Sequence, residues 1–96
     1  MATINAVSGV VTPFASGDTV VIALNPNIQE FQLTAQGFSL DAATIAATPL
    51  GAIATQPVVF PDPVGITTTV DDFRCTAVTI SGITGAGPFA IAAYQG

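Results

Sequence analysis

The 96-residue sequence contains no histidine, no lysine and no tryptophan, and it has one arginine (Arg74), one cysteine (Cys75) and one tyrosine (Tyr94). Each absence closes a class of function. Without histidine or lysine, the acid–base and nucleophilic repertoire shrinks to carboxylates, hydroxyls, one thiol and one phenol. A single cysteine permits no internal disulfide, and with no histidine to join it there is no zinc cluster and no Cys–His pair. One cation cannot neutralise a run of phosphates, which supplies most nucleic-acid affinity, nor hold the chain to an anionic membrane surface. The expected partners therefore include neither nucleic acid nor membrane.

Charge of either sign is scarce. Six acids and one arginine make 7% of the residues, with a net charge of −5, whereas a soluble domain ordinarily carries about 25%. Long hydrophobic runs are missing too. The charge-free stretches Ala42–Pro61 and Cys75–Gly96 approach membrane-spanning length, but prolines, glycines and threonines interrupt both, so they read as soluble strands and loops. The stretch Met1–Val11 has no basic region and no continuous apolar segment, so no secretory signal is expected.

Half of the residues are hydrophobic, and the mean hydropathy is +0.69. Ten valines, nine isoleucines and thirteen threonines stand against four leucines; β-branched side chains suit a pleated surface and lose rotamer freedom in helices. Breakers divide the chain at short intervals. Extended segments are predicted over Thr3–Thr12, Thr19–Asn25, Ile28–Ala35, Ala52–Phe60, Ile66–Val70, Phe73–Ile80 and Phe89–Tyr94, with Ser16-Gly17-Asp18 a turn. Within Ile28–Ala35, Phe31, Leu33 and Ala35 fall on one face while Glu30, Gln32 and Thr34 fall on the other, the pattern of a half-buried antiparallel strand. The segment 40–47 has two readings, a short helix capped near Ser39-Leu40-Asp41 or a further strand. The fold expected is all-β: one domain, residues 1–96, forming a compact sandwich or small barrel of about seven or eight short antiparallel strands.

No chemical motif emerges. Asp71 and Asp72 are the only adjacent acids, and in an extended segment they point to opposite faces; at a turn they simply solvate it. Gly85-Ala86-Gly87 starts like a phosphate loop, but Pro88 removes an amide donor and no lysine follows. The remaining acids lack calcium-loop spacing. No catalytic residue, cofactor or metal site is expected. Cys75 reads as a small buried hydrophobe. Arg74 has two readings, paired with Asp72, Glu30 or an acid of a neighbouring subunit, or exposed and unpaired.

A domain this short is marginal alone and should be polar, because its surface-to-volume ratio is high. An apolar chain with little charge points instead to a subunit interface, where charge is depleted. Phe14 and Phe60, beside prolines, and Tyr94 are the aromatic interface candidates, with Arg74. In size and composition the whole chain resembles bacteriophage capsid decoration (cement) proteins. The resemblance implies a non-enzymatic virion protein, made in the host cytoplasm and seated on the outer capsid surface. It would reinforce capsomer contacts through self-association or binding to the major capsid protein. The competing readings are a tail, neck or fibre-associated virion subunit, a pilus or surface-layer subunit, and a protein- or carbohydrate-binding β module.

Overall fold

A computed structural model describes residues 2–51, 54–57 and 65–95. The strands are β1 Thr3–Val7, β2 Thr12–Phe14, β3 Thr19–Ala23, β4 Phe31–Gln36, β5 Thr44–Pro49, β6 Gln56–Pro57, β7 Thr67–Val70, β8 Cys75–Ser81 and β9 Phe89–Gln95. They form two sheets, one ordered β1-β3-β8-β5-β6 and the other β2-β9-β4-β7. The fold is a small all-β sandwich. Among the described residues there is no helix long and apolar enough to cross a membrane.

Most consecutive strands alternate between the sheets. The chain leaves β1 for β2 in the opposite sheet and returns in β3, so β3 runs in the same direction as β1 and the two pair in parallel. The remaining pairs are antiparallel. Two expected boundaries shift for this reason. The extended segment Thr3–Thr12 divides at Gly9, whose φ of +84° turns the chain from one sheet to the other. Pro13, just past the expected end of that segment at Thr12, lies inside β2, an edge strand where a missing N–H is tolerated.

The inward rows follow from alternation. On the five-stranded sheet, Ile4, Val20, Ile80 and Ile45 align across β1, β3, β8 and β5, and Ala6, Ile22, Val78 and Ala47 form the next row. Opposite them lie Phe31, Leu33 and Ala35 of β4 with Ile91 and Ala93 of β9, all buried. Phe14, Phe38 and Phe89 meet in one cluster, with ring centroids 5.5, 5.7 and 6.0 Å apart. The edge-on and tilted geometries are those that aromatic quadrupoles favour.

Of the two readings for 40–47, the strand prevails beyond Ala43. A single 3-10 turn covers Leu40–Ala42, and Ser39 gives it no side-chain cap. The Ser39 hydroxyl instead bonds Asp41 and the Gly65 backbone. From Thr44 the chain is β5, which buries Ile45 and Ala47 beside β8. Alanine's helix preference yields here because the apolar pattern has period two and a central strand position is open.

Candidate functional site

The outer face of the five-stranded sheet carries no charged side chain among the described residues. Its central row runs Asn5, Val21, Thr79 and Ala46 across β1, β3, β8 and β5, and the next row runs Val7, Ala23, Ala77 and Thr48. Thr3, Thr19, Thr44 and Ser81 complete the grid. None of these side chains is charged. Described acids and Arg74 lie elsewhere: Asp18 and Asp41 in turns, Glu30 beside the start of β4, and Asp71, Asp72 and Arg74 in the link from β7 to β8. Four strands about 4.8 Å apart and five residues long give roughly 300 Å² of nearly flat surface. A stable two-protein interface takes about 800 Å² from each partner, so this face holds a partner only together with other contacts.

Three valines extend the uncharged surface around the corner. Val7, Val10 and Val11 are 55%, 51% and 44% exposed, and they follow the link from β1 to β2. That link is held to both sheets: the Ser8 N–H donates to the Ala23 carbonyl at 3.1 Å and the Gly9 N–H to the Ala93 carbonyl at 2.7 Å.

The outer face of the four-stranded sheet has a different chemistry. A groove of about 230 Å³ is lined by Glu30, Gln32, Thr69, Tyr94 and Gln95. Cross-strand register places Thr69, Gln32 and Tyr94 in one row. The same register, Phe31 opposite Val70, brings Glu30 beside Asp71. A hydrogen bond with Asp71, and then the repulsion of its charge, raise the Glu30 pKa above its ordinary value. This acid pair escapes a reading of sequence neighbours because strand register, not adjacency, creates it. Both residues are exposed. Gln95 is already engaged, accepting from the Asn25 N–H at 2.8 Å and donating to the Asn25 carbonyl at 3.0 Å.

The four candidate interface residues separate. Tyr94 is 42% exposed at the groove. Phe14 is not a surface residue: at 8% exposure it belongs to the core cluster, because β2 closes the sandwich and the alternation of its three residues turns Phe14 inward. Phe60 lies outside the described residues. Arg74 is exposed and donates its Nε–H to the Pro26 carbonyl at 2.8 Å, tying the loop after β3 to the start of β8, so this hydrogen bond goes to backbone and not to Asp72 or Glu30. Asp71 and Asp72 do not act as neighbours either; Asp72 has φ +55° at the turn where the chain changes sheets, and Asp71 pairs with Glu30.

Two other groups have structural roles. The Asp18 carboxylate accepts from the Ala15 and Ala2 N–H groups at 3.0 and 2.9 Å, and these bonds hold its pKa below the usual value. Burial pushes the Cys75 thiol pKa up, which leaves less of the reactive thiolate. Among the described residues no three of the acids and Cys75 gather as metal ligands. No family model matches the chain, and no curated protein matches its sequence.

Proposed function

We propose that the chain is a non-catalytic structural subunit of a bacteriophage virion, seated on the outer capsid surface, where it reinforces contacts between capsomers. The observation that carries this reading is the charge-free outer face of the five-stranded sheet, continued by the exposed Val7, Val10 and Val11. Such a surface, among the described residues, has no charge to repel a second copy or a lattice protein, and the described acids lie away from it. Its area is too small for a tight lone contact but sufficient when many copies each make several contacts, because linked weak contacts act at high effective concentration. Localisation follows from the same reading: the subunit is made in the host cytoplasm and joins the virion there. A tail, neck or fibre position would use the same surface in a different symmetry.

The test is the mass of the protein in its native assembly, together with cosedimentation with capsids. Val21→Asp and Thr79→Asp place charge at the centre of the face without touching the core, and they should abolish particle binding while the folded spectrum persists. A freely soluble chain with no affinity for any larger particle would refute the proposal.

The groove around Tyr94 favours a second reading, a protein- or carbohydrate-binding module, since one aromatic ring flanked by amide and carboxyl groups can stack on and hydrogen-bond a polar ligand. Tyr94→Ala distinguishes them: it should abolish ligand retention in a binding module and leave capsid binding intact in the structural one.

A further inference from the structure

The backbone of β1 has one side free. Parallel pairing directs the N–H and C=O groups of alternate residues to the neighbour and those of the intervening residues away from it. The Thr19 N–H donates to the Ala2 carbonyl, and the Ser8 N–H donates to the Ala23 carbonyl. These two bonds fix the phase: Ala2, Ile4, Ala6 and Ser8 face β3, whereas Thr3, Asn5 and Val7 turn their N–H and C=O groups outward. Among the described residues no strand pairs with that side.

Natural sheets defend such edges with prolines, charges or very short strands. Here β2 contains Pro13, β6 is two residues long and contains Pro57, and β7 is followed at once by Asp71-Asp72. Strand β1 has five residues, Thr-Ile-Asn-Ala-Val, with no proline and no charge. Its inward side chains Ile4 and Ala6 pack on the core yet remain only partly buried, as they must where the sheet stops.

We propose that β1 is a dimerisation strand, which pairs antiparallel with β1 of a second copy about a two-fold axis at Asn5. This rests on the self-association in the reading above and names its geometry. Asn5 then lies opposite Asn5 of the other copy, and Thr3 lies opposite its Val7, so the three outward residues of each strand all form hydrogen-bonded pairs, about six new bonds in total. The arrangement is isologous, so it closes on itself and leaves no open β1 edge. The net charge of −5 does not oppose pairing of two copies at this edge. Among the described residues, Asp18 is held against the start of β1 by the Ala2 N–H; antiparallel pairing places the two Ala2 residues about 20 Å apart, beyond the screening length of about 8 Å at physiological salt.

The experiment measures mass against concentration by light scattering, together with amide hydrogen exchange of the whole chain. A dimer of twice 9.6 kDa is expected, with the Thr3, Asn5 and Val7 amides protected in the dimer and exposed on dilution. The Ile4 and Ala6 amides, bonded to β3, stay protected in both states. Asn5→Pro removes an outward N–H that β3 does not use, so this variant should be monomeric with its fold retained; if it does not fold, Asn5→Lys, which sets two cations face to face, gives the same readout. A dimer that survives these substitutions, freely exchanging Thr3, Asn5 and Val7 amides within a dimer, or a monomer at every concentration would each overturn the proposal. A monomer that still binds capsids overturns only the β1 pairing, whereas a protected dimer that binds no particle overturns only the virion reading.

Discussion

Replacing Phe14 by alanine discriminates between a core and an interface residue. Phe14 is 8% exposed and lies 5.5 Å from Phe38 and 5.7 Å from Phe89, centroid to centroid. Truncating a buried phenylalanine costs about 3–5 kcal/mol. The edge position of β2 places this site near the lower end, about 3 kcal/mol. A domain of this size has a total stability of about 5–15 kcal/mol, and each kcal/mol shifts its midpoint by about 4–8 °C, so thermal unfolding followed by circular dichroism should show Tm falling by about 12–24 °C. In the cycle with Phe89→Ala the two changes should couple by about 0.5–1.5 kcal/mol beyond area loss. Tyr94→Ala, at an exposed site, should change stability by about 0.5 kcal/mol or less. If Phe14→Ala left Tm unchanged within about 2 °C but abolished assembly, the ring would be a surface anchor and the core assignment would fail.

Three further outcomes follow from particular contacts. Gly37 has φ +85°, and a Cβ there would collide with the Pro88 carbonyl oxygen, whereas Gly9, at φ +84°, has nothing within 4 Å; Gly37→Ala should therefore lower Tm well beyond the effect of Gly9→Ala, which carries only about 1 kcal/mol of backbone strain. Equal losses would show that the strand ends are free to separate. In urea titrations across pH the two perturbed acids act with opposite sign. The depressed pKa of Asp18 gives stability that is full above its unfolded value near 3.8 and is lost as pH falls through the lower folded value. Asp18→Asn should flatten that acid limb, and an unchanged limb would refute the role of the Ala2 and Ala15 bonds. The raised pKa of Glu30 favours the fold at low pH, and that contribution is lost as pH rises through the folded value; Glu30→Gln, which still donates to Asp71, should stabilise the protein at neutral pH, and a loss of stability there would refute the pairing. Finally, buried Cys75 should resist Ellman's reagent in the native state and react fully in denaturant; rapid native labelling would place the thiol at the surface.

Composition and alternation made much of the fold legible. Phe31, Leu33 and Ala35 face inward as their spacing requires, the Ser16-Gly17-Asp18 turn sits where it was expected, and Cys75 is buried. Local patterns report which side of a strand is apolar, and that was enough for an all-β domain. They do not report which strand lies alongside. The break of Thr3–Thr12 at Gly9, the choice of strand over helix for residues 44–49, and the nine strands among the described residues all depended on partners remote in sequence.

The sequence by itself determined that this protein is almost without charge and has neither histidine nor lysine, since those properties belong to residue identity alone, and its β-branched content and alternation pointed to an all-β fold. Only the tertiary structure decided where the few charges go and which edges stay open. Alternation of strands between two sheets sends the described acids to turns and links, leaves one outer face without charge among the described residues, joins Glu30 to Asp71, and fixes the phase in which Thr3, Asn5 and Val7 present their backbone outward. Register is a property of strand pairs, and a single strand cannot encode it.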